Sequence, residues 1–306
     1  MKRILTIILC VLMLGFTFYK SDDISNYFAN YLDNTHKITN IEKNKYSKNT
    51  NYNYVQISNN FIPYNYQELL NIFYTILDYG YDTFTFYCPS EYTDCLNDVQ
   101  NISDPSNVEI LTTLGNFVSP YNNFSSIKVK YDTAGEVTVD VNKLYSDEDI
   151  TNINNKIDSI WKEIVTSDMS NEDIIYAFHD YIINHAKYDE TFDANSKTNI
   201  YESNKANGPL FEGYAICSGY TDTMALILDR LGIKNYKVAT KTHVWNAVYL
   251  NNEWLNIDLT WDDPVSSDGK DHLEHKFYLI DTNTLEGFQI DNHNFDKSIY
   301  TELINN

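Results

Sequence analysis

Residues 242–261 read THVWNAVYLNNEWLNIDLTW, two alternating apolar runs on either side of Asn251-Asn252. Asparagine tolerates positive φ, so the pair predicts a two-residue β-hairpin turn. That turn sets the register: Leu250 faces Glu253, Tyr249 faces Trp254, Trp245 faces Asp258 and His243 faces Thr260. Strand side chains alternate, so Val244, Val248 and Leu250 share a core face with Leu255, Ile257 and Leu259. The opposite, non-core face carries His243, Trp245, Ala247 and Tyr249 with Thr260, Asp258, Asn256 and Trp254. A slip of one residue would bury the polar set instead, so the register is strongly specified. In this register His243 and Asp258 are diagonal neighbours within reach of one another.

Upstream lies GYAICSGYTDTMALILDRLGI, residues 213–233. A helix is expected from Cys217 to about Leu231, ended by Gly232, with Met224, Leu226, Ile227 and Leu228 apolar enough for a core. A thiol at a helix N-terminus meets unpaired N–H groups and the positive end of the dipole, and both favour the nucleophilic thiolate. Gly213, Ser218 and Gly219 leave room for a substrate beside the sulfur. A lone Cys is also a common small core residue. The His–Asp pair weighs against that use here. An imidazole that takes the thiol proton, oriented by a carboxylate, is what a cysteine nucleophile requires.

These two segments together resemble the bacterial transglutaminase-like superfamily, the papain-like thiol enzymes, over about His179-Asp180-Tyr181 to Pro264. The resemblance implies an α+β fold, a papain-like transglutaminase core in which the nucleophile helix packs on an antiparallel sheet. It implies a catalytic triad in chain order, matching Cys217, His243 and Asp258. Tyr220, Trp245 and Trp261-Asp262-Asp263-Pro264 match recurring family positions, and with Tyr214, Ser218 and Gly219 they would shape the site. The segment before His243 is Lys241-Thr242, where relatives often carry a Gly-rich turn. The implied chemistry is acyl transfer: attack on a peptide or carboxamide carbonyl, then release of an acyl-thioester by water or an amine. The oxyanion would be held by the Cys217 N–H and a second donor, with Tyr214 or Trp245 flanking the hole. The implied partner is a protein or peptide substrate, and no cofactor is expected. A non-catalytic surface domain of the same fold, binding protein or cell-wall ligands, is the competing expectation.

The surrounding sequence divides in four. Lys2 and Arg3 precede an apolar run from Ile4 to Tyr19, so residues 1–20 read as a signal peptide, cleaved or retained as an anchor. All that follows Lys20 would then be exported, outside the cell or on the outer face of the cytoplasmic membrane. Residues 21–52 read as a polar tether, and residues 53–145 as a small α+β domain. In that domain Tyr66–Tyr79 has helical spacing, Thr83–Cys88 and Ile127–Tyr131 alternate, and Gly135 turns a hairpin into Val137, Val139 and Val141. Residues 146–306 form the transglutaminase-like domain, with helices expected at Ser146–Ile164 and from Ser170 to about Lys187. Cys88 and Cys95 are placed for a local disulfide in an oxidising compartment, which leaves Cys217 odd unless it pairs with one of them.

Composition narrows the function classes. Of 306 residues, 22 are Lys or Arg and 43 Asp or Glu, a net charge of −21. That charge argues against nucleic acid and against electrostatic attachment to an anionic bilayer, so membrane contact is expected through the N-terminal segment alone. Apolar residues at 43% exclude wholesale disorder. His272, His275 and His293, near Asp271 and Glu274, have partial metal-ligand spacing but read as a solvated face. His179, Asp180 and His185 read as helix-face residues, and Asp147-Glu148-Asp149 as helix-start charges. No metal is expected.

Overall fold

The computed structural model describes Lys20 and residues 42–107, 109–194, 196, 198–265 and 273–304. The apolar N-terminal run, residues 21–41, Asp271 and His272 lie outside the described residues. Among those described, no helix is long and apolar enough to cross a membrane.

Helix α1 (Tyr66–Tyr79) starts where the Asn65 side chain accepts the Glu68 N–H and ends at Gly80, whose φ is +70°. Its buried face includes Leu69, Leu70, Ile72, Phe73, Ile76 and Leu77. Strands β1 (Thr83–Tyr87), β2 (Phe124–Tyr131) and β3 (Glu136–Lys143) make an antiparallel sheet in the order β1-β3-β2. Val137, Val139 and Val141 point to the core along β3. Helices α2 (Cys95–Ser103) and α3 (Glu109–Gly115) fill the β1–β2 connection. Cys88 and Cys95 are joined in a disulfide with Cα atoms 5.7 Å apart. Residues 42–52, within the stretch read as a tether, are docked: Ser47 donates to Asp78, Lys48 pairs with Asp229, and the buried Tyr52 hydroxyl donates to the Asn235 carbonyl.

The second half begins with two helices that share one start device. Capping boxes, Ser146 with Asp149 and Ser170 with Asp173, open α4 (Asp147–Ile164) and α5 (Asn171–His185). Short strands β4 (Lys187–Tyr188) and β5 (Tyr214–Ala215) pair in parallel and deliver the chain to α6 (Cys217–Arg230). Next come β6 (Asn235–Ala239), β7 (Val244–Leu250) and β8 (Glu253–Ile257), an antiparallel sheet in the order β6-β7-β8.

The hairpin register from Asn246↔Ile257 to Leu250↔Glu253 is the one the Asn251-Asn252 turn predicts. Both asparagines have positive φ, 53° and 69°. Two expectations are corrected. The ladder stops at Ile257, so Trp245 does not face Asp258 nor His243 Thr260. Asp258 instead caps the one-turn helix α7 (Leu259–Asp262), its carboxylate accepting the Thr260 and Trp261 N–H groups. A side chain that takes up local N–H groups in this way diverts the backbone from strand to helix.

The non-core face is also buried. Val248, Ile257 and Leu259 pack with Tyr220, Met224 and Leu228 of α6, as the core face should. On the reverse, Trp245 and Ala247 join Tyr236 and Val238 of β6 in a second cluster with Phe73, Phe86 and Phe117 of the first half and Phe295 and Tyr300 of the last segment. One hydrophobic cluster thus runs from residue 52 to residue 303.

Helix α6 sits against its neighbours with no space at Gly219, where a Cβ would lie 2.2 Å from the Ser203 carbonyl oxygen. Gly219→Ala is therefore expected to destabilise the protein by about 1–3 kcal/mol, as overpacking commonly does. A thermal melt unchanged from the native chain would contradict this placement.

Candidate active site

Cys217 is the first residue of α6, a free thiol, half-buried. The preceding Ile216 provides no side-chain cap, while its N–H is tied to the Ser203 carbonyl at 2.9 Å. The start of the helix is fastened to the start of β7 by Thr221, whose hydroxyl donates to the Cys217 carbonyl (2.7 Å) or the Val244 carbonyl (3.0 Å). Asn246 returns a bond from its side-chain amide to the Thr221 carbonyl at 3.0 Å. These ties bring residue 217 beside residue 243.

His243 sits at the mouth of a tight turn. The Thr240 hydroxyl accepts its N–H at 3.1 Å, and the Thr240 N–H donates to the His243 carbonyl at 2.8 Å. The Lys241-Thr242 turn is thus closed by a threonine rather than by glycine. The imidazole is buried and lies on the buried Trp245 ring, centroids 5.7 Å apart and planes within 20°. Its Nε2 is 2.6 Å from Asp258 Oδ2, and Cys217 is near enough to favour the charged ring. With Nε2 committed to the carboxylate, Nδ1 is the nitrogen left for sulfur.

Asp258 is buried and fully used. Oδ1 accepts the Thr260 and Trp261 N–H groups, and Oδ2 accepts from both His243 and His293 Nε2, the latter at 2.9 Å. His293, itself buried, stands edge-on to Trp245 with centroids 5.1 Å apart. The expectation that His293 belongs to a solvated face is therefore corrected. It follows Asp258 by 35 residues with no shared element, and its one sequence signal is a polar residue between the apolar Ile290 and Phe295.

Burial opposes charge on His243, but the Asp258 carboxylate and the bonds to Asp258 and Cys217 outweigh it and raise its pKa to about 10. Burial likewise opposes charge on Asp258, yet His243 and then His293 hold its pKa down to about 2. The two directions agree on an imidazolium–carboxylate pair at neutral pH.

The other expected site residues are spread around this centre. Ser218 donates to the Asn204 carbonyl at 3.1 Å, and the buried Tyr220 hydroxyl donates to Asp263. Trp261 packs over His293, centroids 5.5 Å apart. The Trp245 Nε1–H is spent on Asn256 Oδ1 at 2.9 Å, and the Tyr214 ring stacks on Tyr201 at 4.1 Å. Tyr188, half-buried, has no sequence signal to mark it; burial first and the charge of Cys217 second raise its phenol.

Residues 158–259 match the family model described as the transglutaminase-like superfamily. This segment is a transglutaminase-like superfamily domain. Cys217, His243 and Asp258 all fall inside it. Among solved structures, a TGase is similar at 18% identity and a TM-score of 0.32, covering 55% of this chain and 52% of its own. A Cytophaga hutchinsonii protein, provisionally described as a cysteine protease, is similar at 12% identity and a TM-score of 0.27, covering 44% of this chain and 61% of its own. No curated protein matches.

The paired charges predict a pH-dependent stability. A raised imidazole contributes fully below its ordinary value of 6.5 and loses its contribution as pH rises through about 10. A lowered carboxyl contributes above 3.8 and loses its contribution as pH falls through about 2. In urea denaturation, the stability advantage of the native chain over His243→Gln should hold level on the acid side of neutrality and shrink steadily from pH 6.5 to about 10. An advantage independent of pH over that interval would refute the charged pair.

Proposed function

We propose that the protein is an exported thiol enzyme that transfers or hydrolyses the acyl group of a peptide or carboxamide bond through Cys217, His243 and Asp258. The observation that carries this reading is the buried His243–Asp258 pair, 2.6 Å apart, beside a half-buried free thiol whose helix is tied to the strand that follows His243. Cys217 Sγ attacks the carbonyl carbon. The imidazolium holds the proton taken from the thiol and delivers it to the departing amine, leaving an acyl-thioester. Water or a second amine, deprotonated by the same ring, then attacks the thioester and releases the sulfur. Asp258 keeps the ring in register and its Nε2–H tautomer throughout. The Cys217 N–H, at the positive end of α6, faces the developing oxyanion.

Export is supported by Lys2-Arg3 ahead of the Ile4–Tyr19 apolar run and by the Cys88–Cys95 disulfide, a bond that persists in oxidising compartments. With a net charge of −21, the enzyme favours neutral or basic segments of a protein substrate over anionic polymers.

Iodoacetamide at mild pH tests the thiol. Cys217 should label faster than a free peptide cysteine, and His243→Ala should remove that advantage. Turnover of an amide substrate should fall by about 10²–10⁴ in the same variant. Labelling indifferent to His243, in a variant with the native melting profile, would refute the enzyme and favour a ligand-binding domain of the same fold.

A further inference from the structure

His179, Asp180 and His275 form a second cluster of metal-ligating side chains, built on α5 and on the segment following α7. His179 Nε2 lies 3.0 Å from Asp262 Oδ2, with both side chains fully buried. Asp262 is itself anchored, its Oδ1 accepting the Phe277 N–H at 2.9 Å. A carboxylate on Nε2 is the arrangement that orients a histidine for metal ligation through Nδ1. His179 Nδ1 lies 3.5 Å from Asp180 Oδ1. The same oxygen is 2.6 Å from His275 Nε2. All three donor atoms lie within 4.8 Å of one another.

We propose that His179 Nδ1, Asp180 Oδ1 and His275 Nε2 bind a divalent transition-metal ion of the zinc class. Two imidazole nitrogens and one carboxylate oxygen suit zinc, whereas calcium and magnesium take oxygen ligands. The buried carboxylate behind His179 is the outer partner that metal-bound histidines usually carry. Aromatic rings hold both imidazoles in place: Tyr176 stacks on His275 at 4.9 Å and 10°, and Tyr278 stands edge-on to His179 at 5.2 Å. Asp180 and His275 side chains are 38% and 37% exposed, so an ion can enter and keep water in its remaining position. Ligands about 2.0–2.1 Å from a tetrahedral ion stand about 3.3–3.4 Å apart. The His179–Asp180 separation of 3.5 Å already fits, and the His275–Asp180 separation of 2.6 Å has to open by under about 1 Å. The ion would clamp the segment bearing His275 onto α5. Through Asp262 it would also brace α7, the helix that Asp258 caps.

The test uses the full chain carrying Cys217→Ala, which removes the thiol as a competing ligand. Zinc is titrated calorimetrically and cobalt(II) spectroscopically. One saturating equivalent is expected, with the visible bands of four- or five-coordinate cobalt and a raised melting temperature. Asp180→Asn and His275→Ala, both at the surface, should each weaken binding at least about tenfold, and Asp262→Asn by about 10–100-fold. His293→Ala should leave it unchanged. Absence of saturable binding at millimolar zinc would overturn the proposal, leaving His179 as a structural residue between two aspartates. Binding lost in His293→Ala but kept in His275→Ala would overturn it as well, by putting the ion on Asp258.

Discussion

A carboxylate buried without compensation is among the costliest groups a protein can carry, and the buried Asp258 is the one around which the candidate site is arranged. Four donors meet it: two backbone N–H groups on Oδ1 and two imidazoles on Oδ2. The first pair turns the chain from β8 into α7. The second pair draws together His243, before Asp258 in sequence, and His293, well after it. Removing the carboxylate would leave two buried imidazoles facing one another without the charge that orients them. The same carboxylate that would orient the ring for catalysis therefore also organises the local fold, and the two roles are not separable by mutating Asp258 alone.

The position of His243 depends in turn on a sheet covered on both sides. Helix α6 covers one face of β6–β8, and aromatic residues of the first half and the last segment cover the other. Trp245 belongs to that second cover, and its ring forms the floor beneath His243. The first half thus contributes to the site without lending it a reactive group. It shields the imidazole from one side while the thiol stays half-buried on the other, an arrangement that strengthens the His243–Asp258 attraction and leaves sulfur accessible.

How much of this was legible follows from what periodicity can report. The Asn-Asn turn and the alternation beside it specified the hairpin register and the face that meets α6, whereas the ladder ends before His243 and Asp258, and their contact depends on the α7 cap. The cover on the reverse face was not legible, because Phe73, Phe117 and Tyr300 are distant in sequence and alternation reports polarity rather than neighbours. Strand β6 was hidden for a different reason. Its NYKVA carries Lys237 in the middle, buried against Asp222 at 2.9 Å, and a buried ion pair is indistinguishable from a solvent-facing residue in sequence. His293 had no pattern to join. The helix starts at Ser146 and Ser170 were legible, and each is closed by a capping box whose chemistry is complete within four residues.

The acidity of the chain also has a different meaning in three dimensions. Asp78, Asp189, Asp222, Asp258, Asp262 and Asp263 are all buried. Each described partner set is local and specific: Asp78 receives Ser47 and the Lys48 and Asn49 N–H groups, Asp189 receives Ser203 and Thr191, and Asp222 receives Tyr145 and Lys237. These carboxylates hold polar positions in the fold: the stretch before Tyr52, the loop around Ser203, and Lys237 in the middle of β6. A sequence rich in Asp, Asn and Tyr can therefore build an interior from charge-assisted hydrogen bonds where aliphatic side chains are scarce. Part of the −21 is structural.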